Sequence, residues 1–113
     1  MGIVWGGIAP HPPIVVPEVG RSEIGKVSST RAALQKLAQD LKAAKPEAVI
    51  ITSPHGPVFS DVVAVSLAPR FSGSFSRFGA PGVRLHRASD LTLAQAIVSE
   101  SEALKVPVAA LTA

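Results

Sequence analysis

Residues 2–13 read Gly-Ile-Val-Trp-Gly-Gly-Ile-Ala-Pro-His-Pro-Pro. An apolar run rich in β-branched and aromatic side chains stops at a histidine enclosed by prolines. The run from Gly2 to Ala9 lacks sustained polar alternation, the pattern of a strand covered on both faces. Gly6 and Gly7 leave room for another backbone or a ligand. Each proline ring locks φ near −65° and drives the preceding residue to extended geometry. His11 therefore sits on a stiff, non-helical turn at the end of an expected strand, and turns of this kind carry reactive groups in α/β proteins. Pro10 to Gly20, with four prolines, is expected to be a loop.

The next segments decide how that turn is used. Ser28 or Ser29 suits a helix N-cap, and Leu34, Leu37 and Leu41 follow at i, i+3 and i+7, with Ala33, Ala38 and Ala44 beside them. Lys36, Gln39, Asp40 and Lys42 fall mostly on other faces. The helix should end near Lys45, because Pro46 cannot continue it. Ala48 to Thr52 is a second apolar, β-branched run. Strand, amphipathic helix, strand is the pattern of a βαβ unit with a parallel pair. The second run also ends in a bracketed histidine, Ser53-Pro54-His55-Gly56-Pro57.

Farther along, Val62 to Leu67 forms a third apolar run, and Phe71 to Phe75 and Val83 to His86 are shorter extended candidates. Ser89 and Asp90 open a second helix, with Leu93, Ile97 and Leu104 on one face and Glu100 and Glu102 towards solvent. Val108 to Leu111, after Pro107, is a final buried strand. The expected fold class is α/β: a central, mostly parallel or mixed sheet flanked by helices, with the strands around Ile3, Ile50 and Val108 parallel. A parallel strand normally runs on into a loop, so the stop at Ala113 suggests further chain beyond it.

Bulk properties narrow the function. The 113 residues suffice for one small domain. No apolar run reaches the roughly 18 residues of a membrane span, and the N-terminus lacks the basic region of a secretory signal. With no cysteine, disulfides and thiolate ligands are excluded. A cytoplasmic protein without membrane contact is expected. The net charge of +3 and a pI near 9.8 raise nucleic-acid binding, as does the aromatic-basic stretch Arg70 to Phe78, which has the composition of a single-strand platform. The basic residues form no block, and an edge strand with aromatic core contacts is the simpler account of that stretch. Walker, dinucleotide-binding and nucleophile-elbow motifs are absent.

The histidines carry the chemistry. Two turns at the ends of neighbouring parallel strands would lie about 5 Å apart. Converging neutral imidazoles are common ligands of divalent transition metals, and two of them with one carboxylate leave open positions on iron(II). Each histidine could instead bond a loop carbonyl. Glu18 and Asp61, seven and six residues beyond His11 and His55, are candidate local carboxylates, though neither spacing is diagnostic. His86, flanked by Arg84 and Arg87, reads as a surface or structural histidine, since nearby cations disfavour another positive centre. Asp90 reads as an acid of a helix first turn.

Gly6 to Ile14 (Gly-Gly-Ile-Ala-Pro-His-Pro-Pro-Ile), Val16 to Gly20 (Val-Pro-Glu-Val-Gly), Thr52 to Pro57 (Thr-Ser-Pro-His-Gly-Pro) and Phe78 to Pro81 (Phe-Gly-Ala-Pro) together resemble the LigB-like class III extradiol ring-cleavage dioxygenases, a group that includes the Memo-like proteins. The resemblance runs over essentially the whole chain. It implies a non-haem iron(II), with zinc or manganese as alternatives, held by two histidines, here His11 and His55, and a glutamate. It also implies a catecholic aromatic substrate, dioxygen as co-substrate and a role in aromatic compound catabolism. The glutamate ligand and the acid/base histidine belong to the distal part of longer family members and have no matching position, so no catalytic residue is expected within this chain. Residues 1–113 are accordingly expected to form a single partial LigB-like domain, the N-terminal part of a larger one, prone to self-association or to pairing with a missing C-terminal segment. The Memo-like relatives imply an alternative, a non-enzymatic binding or scaffold protein that keeps the histidines. A single-stranded nucleic-acid module is a third and weaker reading.

Overall fold

The computed structural model describes residues 2–112. The chain combines helices with parallel and antiparallel strand pairs, as expected of the α/β class. The chain divides into two units, Met1–Val49 with Ser74–Arg84, and Ile50–Gly73 with Leu85–Ala113.

In the first unit, residues 2–12 have no regular secondary structure. A 3-10 turn follows at Pro13–Val15, then a single helical turn, α1, at Pro17–Gly20, a second 3-10 segment at Arg21–Val27, and helix α2 at Ser28–Ala44. The expected loop over 10–20 is thus partly helical. Pro13 and Pro17 each take a first-turn position, where the missing N–H costs nothing and the fixed φ favours a turn of helix. Helix α2 meets its forecast. Val27, Thr30, Arg31, Leu34, Leu37, Leu41 and Ala44 form one half-buried stripe, whereas Ala33 and Ala38 are exposed. Neither serine caps it by side chain; Val27 is the N-cap. The helix ends at Ala44, and Lys45 turns left-handed (φ 50°) while its N–H reaches the Lys42 carbonyl at 3.2 Å. Pro46 bars any further turn. Lys36 and Asp40 pair across one turn at 2.7 Å, and Lys26 pairs with Glu23; both pairs are exposed and contribute little.

Gly20 closes the compact part of this unit. Its backbone is ordinary helix (φ −69°, ψ −36°), but it is buried, and a Cβ there would run into the Ile14 carbonyl oxygen and come within 3.0 Å of the Ile24 Cδ1. Alanine in place of glycine gains about 0.4–1 kcal/mol from a stiffer unfolded chain. Overpacking against backbone costs about 1–3 kcal/mol. The clash wins, and Gly20→Ala is expected to destabilise the fold by about 1–2 kcal/mol, read as a lowered denaturation midpoint in urea. An unchanged or raised midpoint would show that the Ile14 turn gives way freely.

The second unit holds the parallel pair. Strand β1, Val63–Ser66, pairs with β4, Val108–Leu111, in the register Val63 to Val108 through Ser66 to Leu111. Helix α3, Leu91–Ala103, packs on both strands, so β1, α3 and β4 make the parallel crossover arrangement that defines an α/β unit. Asp90 is the N-cap of α3 rather than a first-turn acid; its carboxylate accepts from the Leu93 N–H at 3.0 Å. Leu93 and Ile97 are half-buried, but Leu104 lies past the helix and is 73% exposed. The face is completed instead by Leu91, Ala94, Val98 and Ser101.

Strands β2, Arg70–Phe75, and β3, Ala80–Ala88, form a hairpin. The short connection through Ser76–Phe78 and Gly79 admits only an antiparallel return. The Ser89 N–H closes its open end on the Pro69 carbonyl at 3.0 Å. The Arg70 to Phe78 stretch is therefore a hairpin strand and turn, with the Phe75 and Phe78 rings 6.0 Å apart.

One expectation about the strands is corrected. Of the three segments around Ile3, Ile50 and Val108, only the last is a strand, and its partner is the Val62–Leu67 run. Ile3 and Ile8 are each 95% exposed and Ile51 is 81% exposed. β-rich composition describes side chains suited to a pleated surface and does not supply the partner whose N–H and C=O groups make a strand. Among the described residues, the strands form two separate pairs, β1 with β4 and β2 with β3, in place of one central sheet. The space beside Gly7 is occupied by the Trp5 indole ring rather than by a second backbone or a ligand.

Candidate metal-binding histidine turns

Neither histidine stands at the end of a paired strand. Each sits in an irregular segment that local interactions hold. His11 precedes the 3-10 turn, where the Val15 N–H donates to the Pro12 carbonyl at 3.2 Å and the Val16 N–H to the Pro13 carbonyl at 3.1 Å. The half-buried Arg31 of α2 donates from Nε to the Val15 carbonyl at 3.0 Å, tying the turn to that helix. At the far side, Arg21 donates from Nε to the Glu18 carbonyl and from Nη2 to the Gly79 carbonyl, both at 3.3 Å. The backbone around His11 is thus restricted by prolines from within, and the 3-10 turn that follows it is tied to α2 by Arg31.

His55 is held differently. The Ser53 hydroxyl accepts from the His55 backbone N–H at 3.1 Å, and Pro54 lies between them. Gly56 follows at φ 88°, the left-handed region that a side chain rarely adopts. A Cβ on Gly56 would meet nothing within 4 Å, so the need for glycine there is conformational and not one of space.

His11 and Glu18 belong to the first unit, and His55 and Asp61 to the second. All four are exposed. Among the described residues, no group of three or more histidine, aspartate and glutamate side chains is assembled that could hold a metal ion. His86 is exposed on β3, and its carbonyl accepts from its neighbour Arg87 at 2.7 Å. Spacing does not single out Arg31 or Arg21; their roles depend on carbonyls 16 and 58 positions away, which no local pattern announces. Ser53 is legible, since a serine two residues before an N–H is a familiar turn former.

The model of the family described as the catalytic LigB subunit of aromatic ring-opening dioxygenase matches residues 7–112, a span that encloses both histidine turns. The chain belongs to the LigB family. The LigB chain is also similar to Protein CA_C1420 of Clostridium acetobutylicum, 44% identical over 78 residues. That alignment covers 69% of the LigB chain and 17% of the relative, so the chain spans less than a fifth of the relative's length. No solved structure matches it significantly. Among the described residues, no helix is long and apolar enough to cross a membrane.

The donor chemistry fits the iron that the resemblance implies, to the extent of two ligands. Imidazole suits iron(II) and its divalent neighbours. Both residues are exposed, so an ion can approach either of them without unfolding the chain.

Proposed function

We propose that this chain supplies the two histidine ligands, His11 and His55, of a non-haem iron(II) centre in an extradiol ring-cleaving dioxygenase of catecholic aromatics. The observation that carries the reading is the family match over residues 7–112, which takes in both Pro-bracketed histidines. Such a centre, when loaded, supplies Lewis-acid and redox capacity for opening the ring beside its hydroxyls. The residues of this chain have a narrower task. The imidazoles of His11 and His55 bind and orient the ion, and as neutral ligands they leave its charge for a carboxylate and an ionised substrate to balance. Glu18 and Asp61 are the local carboxylates available, and a glutamate from outside this chain is the alternative. The acid/base group that moves the catechol proton is likewise assigned to a segment beyond these residues. Zinc or manganese could take the same two imidazoles. The proposal includes a cytoplasmic location and a part in aromatic compound catabolism.

Anaerobic titration with iron(II) and an oxygen electrode with catechol test the reading. The 113-residue chain should bind iron(II) weakly, with both histidine side-chain resonances responding together, and should consume no oxygen with catechol. Fusion to the distal part of a longer family member should tighten iron binding and bring oxygen-dependent turnover. A fusion that holds iron yet leaves every catechol untouched would favour the non-enzymatic, Memo-like role.

A further inference from the structure

The geometry points to Ser53 as the positioning residue of His55: its hydroxyl sets the backbone from which the imidazole is presented. This inference rests on the reading of His55 as a metal ligand. The Ser53 Oγ lies 3.1 Å from the His55 nitrogen. Between the two, Pro54 has a fixed φ and confines Ser53 to extended backbone. Immediately after His55, Gly56 takes left-handed backbone at φ 88° within a bend. His55 therefore stands between a hydrogen-bonded turn and a left-handed glycine, in a segment with no strand or helix to support it. The first histidine turn has a 3-10 turn and the Arg31 tether for this purpose. In the second, the serine hydroxyl acts on the histidine's own amide, so its removal takes one hydrogen bond from the peptide that carries the ligand.

A ligand already held in one backbone conformation loses less freedom on binding. One net hydrogen bond corresponds to roughly three- to tenfold in an equilibrium, and this is the effect expected at the metal.

The experiment compares the 113-residue chain with its Ser53→Ala, Ser53→Thr and His55→Ala variants. Two readouts are used: the solvent-exchange rate of the His55 amide proton by NMR without metal, and the affinity for iron(II) under anaerobic conditions. Ser53→Ala should speed exchange at His55 and weaken iron binding by roughly three- to tenfold, and Ser53→Thr, which keeps the hydroxyl, should restore both. Unchanged exchange in Ser53→Ala would overturn the inference. So would faster exchange with unaltered iron affinity, since the bond would then exist without serving the ligand. If His55→Ala binds iron as the parent does, the ligand reading itself fails, and the inference falls with it. The exchange rate separates these cases, because it is measured with no metal present.

Discussion

Replacing His11 or His55 with alanine is expected to abolish iron(II) binding by this chain. With two imidazoles as the assigned protein ligands, loss of either leaves one monodentate donor in an exposed loop, and water competes with it for every other position on the ion. Loss of a mere outer-shell partner already costs roughly 10- to 100-fold in metal affinity, so loss of a direct ligand should cost at least about 100-fold. The two variants should behave alike, since each removes an equivalent donor, and the double variant should be no worse than either single one. Secondary structure should be unaffected. His11 lies outside α1, α2 and the 3-10 turns, and His55 lies outside every helix and strand. Anaerobic titration with circular dichroism on the same samples makes the comparison. If both variants hold iron as tightly as the parent, the histidines are structural members of their turns and the dioxygenase reading loses its metal centre.

Self-association is the second large effect expected. Ala80, 6% exposed, is the one buried hydrophobic residue among the described residues, while Ile3, Ile8, Ile51, Val58 and Leu104 are each at least 69% exposed. Soluble monomers rarely expose contiguous apolar patches of more than a few hundred Å². Burial of apolar surface contributes roughly 25 cal/mol per Å², so residues 2–9 alone give two copies a reason to associate. Light scattering should report a mass that rises with concentration above the 11.6 kDa of one chain, and Ile3→Lys combined with Ile8→Lys should lower it at a given concentration. A steady 11.6 kDa species at high concentration would count against this, and would mean that the apolar segments are tolerated in water as single exposed side chains.

Helices α2 and α3 are legible in the amino-acid order because their determinants are local. Leu34, Leu37 and Leu41 repeat at helical spacing, Pro46 sets a stop, and Asp90 stands where the first free N–H groups of α3 need an acceptor. The two extended runs of the hairpin, 71–75 and 83–86, are legible for the same reason, though their pairing with each other is not. The extra helical turn at Pro17 is harder to read, because proline breaks a helix from within yet starts one from a first-turn position. The two histidine turns are visible because proline writes its backbone restriction directly into the order of residues.

Strand pairing is not legible in this way. The runs 2–9, 48–52 and 62–67 have similar apolar, β-branched composition, yet only Val63–Ser66 of the last is a strand, paired with Val108–Leu111. That choice depends on which backbone meets a complementary row of N–H and C=O groups 45 residues away, and composition carries no information about the partner. The same holds for the tether of the first histidine turn, since Arg31 acts on a carbonyl 16 positions away that folding brings near. Sequence by itself determined the family, helices α2 and α3 and the prolines that stiffen the two histidine turns, because each is specified by neighbours along the chain. Only the tertiary structure decided which apolar run became a strand and that Arg31 ties down the turn after His11, because those outcomes depend on contacts between residues far apart in the chain.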